Sequence, residues 1–138
     1  MSNRSIPLQP TVPKLHFRVT KELKWEAAHV LKGLAPNHPC SRMHGHSYRA
    51  EVTLSGIPDE VGMVLDFNIL KDAIKVRLDH QTLNEVMGDL NPTAENIAVY
   101  IMTMVNQILL RAGAQDEVKC ERVKVWETET CSAEVWFE

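Results

Sequence analysis

A chain of 138 residues with 44% hydrophobic and 24% charged side chains has the composition of an ordinary globular protein, which excludes disordered and fibrous classes. It is long enough to bury a core without metal or disulfide staples. A formal charge of −3, from 15 Lys+Arg against 18 Asp+Glu, gives no global basic field for nucleic acid or an anionic membrane, so an anionic small molecule would need a local basic pocket.

Residues 1–14, with Pro7, Pro10 and Pro13 and no hydrophobic period, predict a flexible N-terminal arm ahead of a single domain over 15–138. The start MSNRSIPLQPTVPK lacks the apolar segment of a secretion signal, and no apolar run approaches the roughly 18 residues that span a bilayer. Three cysteines without CxxC spacing fit reduced thiols, so the expectation is a cytoplasmic protein.

From Leu15 to about Ala28, the residues His16, Phe17, Val19, Leu23 and Trp25 predict an extended segment whose imperfect alternation points to a bulge. LKGLAPNHPCSRM, punctuated by Gly33, Pro36, Asn37 and Pro39, reads as loop. In HGHSYRAEVTLSGI, the residues His44, His46, Tyr48, Ala50, Val52 and Leu54 share one parity and Arg49, Glu51, Thr53 and Ser55 the other. Both histidines therefore fall on the apolar face of a strand. Ile57-Pro58-Asp59-Glu60 turns the chain, and MVL at 63–65 reads as a short extended piece. Asp66 caps a helix through Phe67, Leu70, Ile74 and Leu78 that ends near Asp79-His80.

Asn91-Pro92-Thr93 opens a second helix in which Ile97, Tyr100, Ile101, Met104, Val105, Ile108 and Leu109 follow the helical period, closed by Arg111 and Gly113. Two strands, roughly 118–127 and 131–137, join through Thr128-Glu129-Thr130 as a hairpin. The order ββααββ predicts an α+β fold, a four-stranded antiparallel sheet with both helices on one face.

His44 and His46, two apart on a strand, aim their imidazoles the same way. His29, at the end of a strand that would lie beside theirs, offers a third ring, and Gly45 permits close approach of a neighbouring backbone. Three histidines and an open fourth position are the usual catalytic zinc arrangement. Iron and manganese accept the same ligands, and the plain alternative is a hydrogen-bonded pair in the core. Cys40, four residues before His44 in a loop, is a base, a nucleophile or a fourth ligand, and the last would make a closed structural site. Cys120 and Cys131 read as packing.

Asp79 can orient the neighbouring His80 ring only through a turn or a neighbouring partner; otherwise His80 is a helix C-terminal histidine favoured by the dipole. Glu127 continues the apolar parity of Val123 and Val125. A carboxylate buried there calls for a ligand with several N–H donors, the plain alternative being that the strand has already ended, and Glu129, of the same parity, is the competing position.

With His29, CSRMHGH, LDHQTLN, NPTAEN and VWET in this order, the chain resembles the 6-pyruvoyl-tetrahydropterin synthase superfamily from Phe17 to Phe137. The three residues between Cys40 and the HGH motif resemble its 6-carboxy-tetrahydropterin synthases, of the queuosine pathway. The resemblance implies a tunnelling fold, in which sheets of several subunits join into a barrel and active sites form between subunits of a homo-oligomer. It implies zinc (Zn2+) on His29, His44 and His46, catalytic roles for Cys40, Asp79 and His80, a pterin anchor at Glu127, and Thr93 and Glu95 near the pterin. Relatives often carry proline or cysteine after the Glu-Thr pair where this chain reads ETETCSAEVW. An offset of two would promote Glu129, but the tryptophan of VWET favours Glu127.

The implied reaction is that of a lyase converting 7,8-dihydroneopterin triphosphate to 6-carboxy-5,6,7,8-tetrahydropterin with release of acetaldehyde and triphosphate. One alternative is a pyruvoyl-type synthase that stops after triphosphate elimination and rearrangement. Another is a non-enzymatic, zinc-stabilised oligomer. Arg18, Lys24, Lys32 and Arg42 are the candidates for holding the triphosphate.

Overall fold

Alternation shapes the two longest strands of the computed structural model, which describes residues 15–114 and 117–138. The arm expected over 1–14 lies outside the described residues. In β1 (Phe17–His29) the odd-numbered side chains Leu23, Trp25, Ala27 and His29 are buried. In β2 (His44–Gly56) the even-numbered Tyr48, Ala50, Val52 and Leu54 are. These strands pair antiparallel along their full length, from Phe17 against Gly56 to His29 against His44. The expected bulge in the first strand is therefore absent. Lys21, which interrupts the apolar pattern, keeps the inward parity and is half-buried.

The irregularities lie instead in β4 (Lys119–Thr128), which pairs with β2 and with β5 (Cys131–Trp136). Leu54 faces Cys120 while Thr53 faces Arg122, so Glu121 is the extra residue of one bulge. A second shift between Trp126 and Thr128 leaves Glu127 without a partner across β5. A bulge re-aims a side chain, and Glu127 is one that gains from it.

Two of the three helices follow from caps and periodicity. Asp66 accepts from the Asn68 N–H at 2.9 Å and starts α1 (Phe67–Arg77), as expected. A five-residue helix, α2 (Leu83–Met87), was not expected. The Thr93 hydroxyl accepts from the Asn96 N–H at 3.2 Å and starts α3 (Ala94–Arg111), which buries Ile97, Ile101, Met104 and Val105. The 63–65 segment is bend rather than strand, because Asp59 folds it into a loop by accepting from the Val61 and Met63 N–H groups.

The sheet has the order β3-β1-β2-β4-β5, where β3 (Gln81–Thr82) runs parallel to Ala27 and Ala28. The four antiparallel strands expected are thus all present, and a two-residue fifth joins their β1 edge. α3 packs on β4 and β5, and α1 on β1, sealing one face of the sheet into a single apolar cluster. Each fully buried leucine or isoleucine there contributes about 2 kcal/mol. Among the described residues no helix is long and apolar enough to cross a membrane.

Candidate metal centre and surrounding site

The register that aligns β1 with β2 also assembles three imidazoles. His29 stands directly opposite His44, and His46 faces Ala27 two residues along. All three lie on the inward parity at one end of the sheet, with ring centroids 4.6, 4.9 and 5.1 Å apart. One nitrogen of each lies within 4.8 Å of the other two. Beneath them Tyr48 is buried, stacked on Trp25 at 5.3 Å, with its hydroxyl 3.2 Å from His29 Nδ1. Burial pushes the Tyr48 phenol far above its ordinary value, so it remains a neutral hydroxyl.

The tautomers follow from the outer hydrogen bonds. His29 Nδ1 donates to the Pro92 carbonyl at 2.8 Å, and His44 Nδ1 donates to the Arg42 carbonyl at 2.7 Å. A neutral ring carries one proton, so both Nε2 atoms present lone pairs, and they face each other at 3.0 Å. His46 Nε2 is buried and has no hydrogen-bond partner; Glu127 Oε1 is the nearby acid, at 3.5 Å. Facing lone pairs and an orphaned buried nitrogen are unfavourable without a shared cation. The donor set fits a divalent metal bound by neutral imidazoles, two of which, His29 and His44, have their Nδ1 protons anchored to carbonyls. Burial holds the His29 and His46 rings below the ordinary histidine value, which favours the neutral, ligating form.

Cys40 is half-buried in the short 3₁₀ turn Pro39–Ser41. Its N–H donates to His38 Nδ1 at 3.0 Å and its carbonyl accepts from the Leu31 N–H at 2.9 Å. The three-histidine group does not include its thiol. Cys120 is buried, and burial pushes its thiol up to about 12. Cys131 is exposed.

Asp79 and His80 do meet through a turn. His80 adopts a left-handed φ of 57°, and its Nδ1 lies 3.1 Å from Asp79 Oδ2. The other carboxylate oxygen, Oδ1, accepts from the Glu26 N–H at 2.9 Å. That bond, and then His80, hold the Asp79 carboxyl below the usual carboxylate range. The His80 side chain is 79% exposed. It borders an open depression of about 460 Å³ that Glu26, Gly45, Ser47 and Thr82 line together with His46, so one of the three histidines reaches the same opening. The pair docks on the β3 edge of β1 and Cys40 on the β2 edge, and no hydrogen bond joins them among the described residues.

Glu127 approaches His46, whereas Glu129 sits exposed in the turn. Thr93 caps α3, and Glu95 lies in its first turn. Of the basic candidates, Arg18 pairs with Glu121 at 2.7 Å toward the far end of the sheet, and Lys24 lies 3.8 Å from Glu22 on the outward face. Lys32 and Arg42 flank the histidines in sequence. At Gly45, which permits close approach of a neighbouring backbone, an added Cβ would meet the Ala27 carbonyl at an ordinary 3.5 Å, so the described residues do not require a glycine there. The carbonyls of Pro92 and Arg42 and the hydroxyl of Tyr48 were not foreseen. The proline after Asn91 and the continued parity through Tyr48 were their only sequence signals.

Residues 18–138 match the family described as 6-pyruvoyl tetrahydropterin synthase. A 6-carboxy-5,6,7,8-tetrahydropterin synthase from Synechocystis is 39% identical over 100 residues, covering 64% of this chain and 74% of its own. A dihydroneopterin monophosphate aldolase from Pyrococcus furiosus is 34% identical over 113 residues, covering 80% of this chain and 89% of its own. In fold, the 6-pyruvoyl tetrahydropterin synthase of Caenorhabditis elegans superposes with a TM-score of 0.72 at 22% identity, over 93% of this chain and 100% of that one.

Proposed function

The chain belongs to the 6-pyruvoyl tetrahydropterin synthase family, and from that we propose that it is a zinc-dependent lyase. In this reading it converts 7,8-dihydroneopterin triphosphate and water to 6-carboxy-5,6,7,8-tetrahydropterin, acetaldehyde and triphosphate, in queuosine-type 7-deazaguanine synthesis. The observation that carries it is the convergence of His29, His44 and His46, with the Nδ1 protons of His29 and His44 held by carbonyls, their Nε2 lone pairs facing each other and the His46 Nε2 buried without a partner. The 39% identical relative from Synechocystis bears the name of this activity.

His29, His44 and His46 would hold zinc, which when bound supplies Lewis acidity toward the substrate's side-chain hydroxyls. Glu127 accepts from the pterin's amino and ring N–H groups in a paired hydrogen bond that fixes the side chain over the site. Cys40, as thiolate, removes a proton from that side chain. His80, oriented by Asp79 at 3.1 Å, is the complementary acid and base. Thr93 and Glu95 border the pterin at the start of α3.

Asp79 and His80 dock on the opposite edge of β1 from Cys40. In this reading a neighbouring copy brings its His80 to this chain's Cys40, so the active enzyme is a homo-oligomer. The outer edge of β5 and, on the side of β1 away from β2, the stretch from Arg18 to Lys24 have no strand partner among the described residues, and unpaired edges are where such sheets join.

Incubating the zinc-loaded protein with 7,8-dihydroneopterin triphosphate tests the reading. Equimolar 6-carboxytetrahydropterin and acetaldehyde are expected. A pyruvoyl product without acetaldehyde would move the chain to the pyruvoyl-type activity. Turnover of the monophosphate alone would move it to the activity named for the Pyrococcus furiosus relative. Zinc binding with no turnover of either would leave the non-enzymatic oligomer.

A further inference from the structure

β1 stops pairing with β3 at Ala28, yet the chain beyond stays held on that same edge. Asn84 Oδ1 accepts from the Val30 N–H and its Nδ2 donates to the Val30 carbonyl, both at 2.8 Å. Two residues on, Asn91 repeats the arrangement, accepting from the Lys32 N–H at 2.9 Å and donating to the Lys32 carbonyl at 3.0 Å. A side-chain amide offers an acceptor and a donor side by side, the pair that a strand residue presents to its neighbour. The two asparagines therefore stand in for the next two rungs of the ladder. Between those rungs, Leu31 points its N–H to the opposite edge and donates to the Cys40 carbonyl at 2.9 Å.

Asn91 also reaches the metal ligands through its own backbone. The next residue is Pro92, whose carbonyl accepts from His29 Nδ1 at 2.8 Å. The Asn91 carbonyl in turn accepts from Asn96 Nδ2 and from the Thr93 N–H, each at 2.8 Å, tying this turn to the start of α3. One residue thus fixes the backbone that leaves His29 and the carbonyl that selects its tautomer. Through Leu31, it also fixes the turn bearing Cys40.

We infer that Asn91, supported by Asn84, is a positioning residue that sets the His29 ring and the Cys40 turn relative to each other. The inference rests on the metal reading of the histidines. It differs from a simple loop clamp because displacing Asn91 should weaken metal binding rather than only lower stability. A control is available in Asn106, whose Oδ1 accepts from the Cys120 N–H at 3.1 Å and which makes no contact with the histidines' hydrogen bonds.

The test uses the full chain as parent and as the variants Asn91→Ala, Asn91→Asp, Asn84→Ala and Asn106→Ala. Zinc affinity is read by competition with a chromophoric chelator, thermal stability by melting, Leu31 by amide exchange and Cys40 by its rate of alkylation. Asn91→Ala is expected to weaken zinc binding about ten- to a hundred-fold, as loss of outer-shell support does, and to speed Leu31 exchange and change the Cys40 rate. Asn91→Asp keeps the acceptor and loses the donor, so it should fall between Asn91→Ala and the parent. Asn106→Ala should lose stability with zinc affinity intact. If Asn91→Ala does not fold, Asn91→Asp and Asn84→Ala carry the same comparison.

Parental zinc affinity in the Asn91 and Asn84 variants, whatever their melting temperatures, would overturn the inference. A parent that takes up no zinc would instead overturn the metal reading. Leu31 exchange and Cys40 alkylation would then decide the positioning on their own, with parental rates in the variants counting against it.

Discussion

The inward face of the sheet ends in two different ways. At the end where β2 finishes and β4 begins, Leu54, Cys120 and Val123 are fully buried. Gly56 there lies so close to Val118 that an added Cβ would come within 2.8 Å of Val118 Cγ2. At the end where β1 finishes and β2 begins, the same parity presents His29, His44 and His46, with Glu127 beside them. Period-two alternation sends both sets of side chains inward. They differ in their unmet valence: methyl groups satisfy one another in the sealed end, whereas inward-facing nitrogen lone pairs call for a cation. One strand pattern thus builds a packed seal and a binding mouth, separated only by which atoms it points at each other.

The sharpest way to break this contrast is to delete a ligand. His46→Ala should lose metal and activity together, and a full equivalent of zinc by atomic emission in that variant would remove His46 from the ligand set. The two cysteines come next. Cys40→Ala should abolish turnover with zinc content unchanged, and a loss of zinc would instead favour the closed four-ligand site. Cys120→Ala, at the sealed end, should keep turnover and cost stability on the order of 1 kcal/mol.

Glu127→Gln should weaken pterin binding by about ten- to a hundred-fold, since it removes a charged hydrogen bond worth roughly 1.5–3 kcal/mol. Glu129→Gln should leave binding near parental, and a larger effect there, read by pterin fluorescence titration, would shift the anchor by two residues. Gly56→Ala should cost about 1–3 kcal/mol in denaturant unfolding because Val118 must move, with zinc stoichiometry unaltered.

The smallest effect is with pH. Burial holds the His29 and His46 rings below the ordinary 6.5, so just below that value the unfolded chain binds more protons than the folded one. Their contribution to the metal-free protein is complete above pH 6.5 and falls away as pH drops through the lower folded values. Urea midpoints of metal-free protein across that window should decline. A flat profile would mean that the rings are not buried neutral.

Much of this was legible because long elements repeat their signal. The alternation from His44 to Leu54 and the helical period from Ile97 to Leu109 each run long enough to fix both an element and its buried face. The fifth strand was not legible, since two residues, Gln81 and Thr82, contain no period. α2, five residues between a strand and a glycine, is likewise too short for one. Residues 63–65 look extended by composition, but the Asp59 side chain decides their path, and an aspartate advertises a turn without saying how far its reach extends.

The three histidines could be grouped because their spacing implies a shared face. Cys40 and the Asp79–His80 pair could be named but not related to each other, because the edges of β1 on which they dock leave no trace in sequence. Asn84 and Asn91 were hidden for a similar reason: asparagine commonly marks a turn, and nothing local distinguishes one that imitates a strand.

The pairing of His29 directly against His44 gives the first hairpin a means of proofreading. Slipping β1 by one residue would turn His29 to the outer face and put Ala28 or Val30 in its place. A slipped hairpin could offer only two of the three imidazoles, so metal capture would discriminate between correct and misaligned chains. Zinc uptake during refolding would then report alignment of the strands, well before any substrate is turned over.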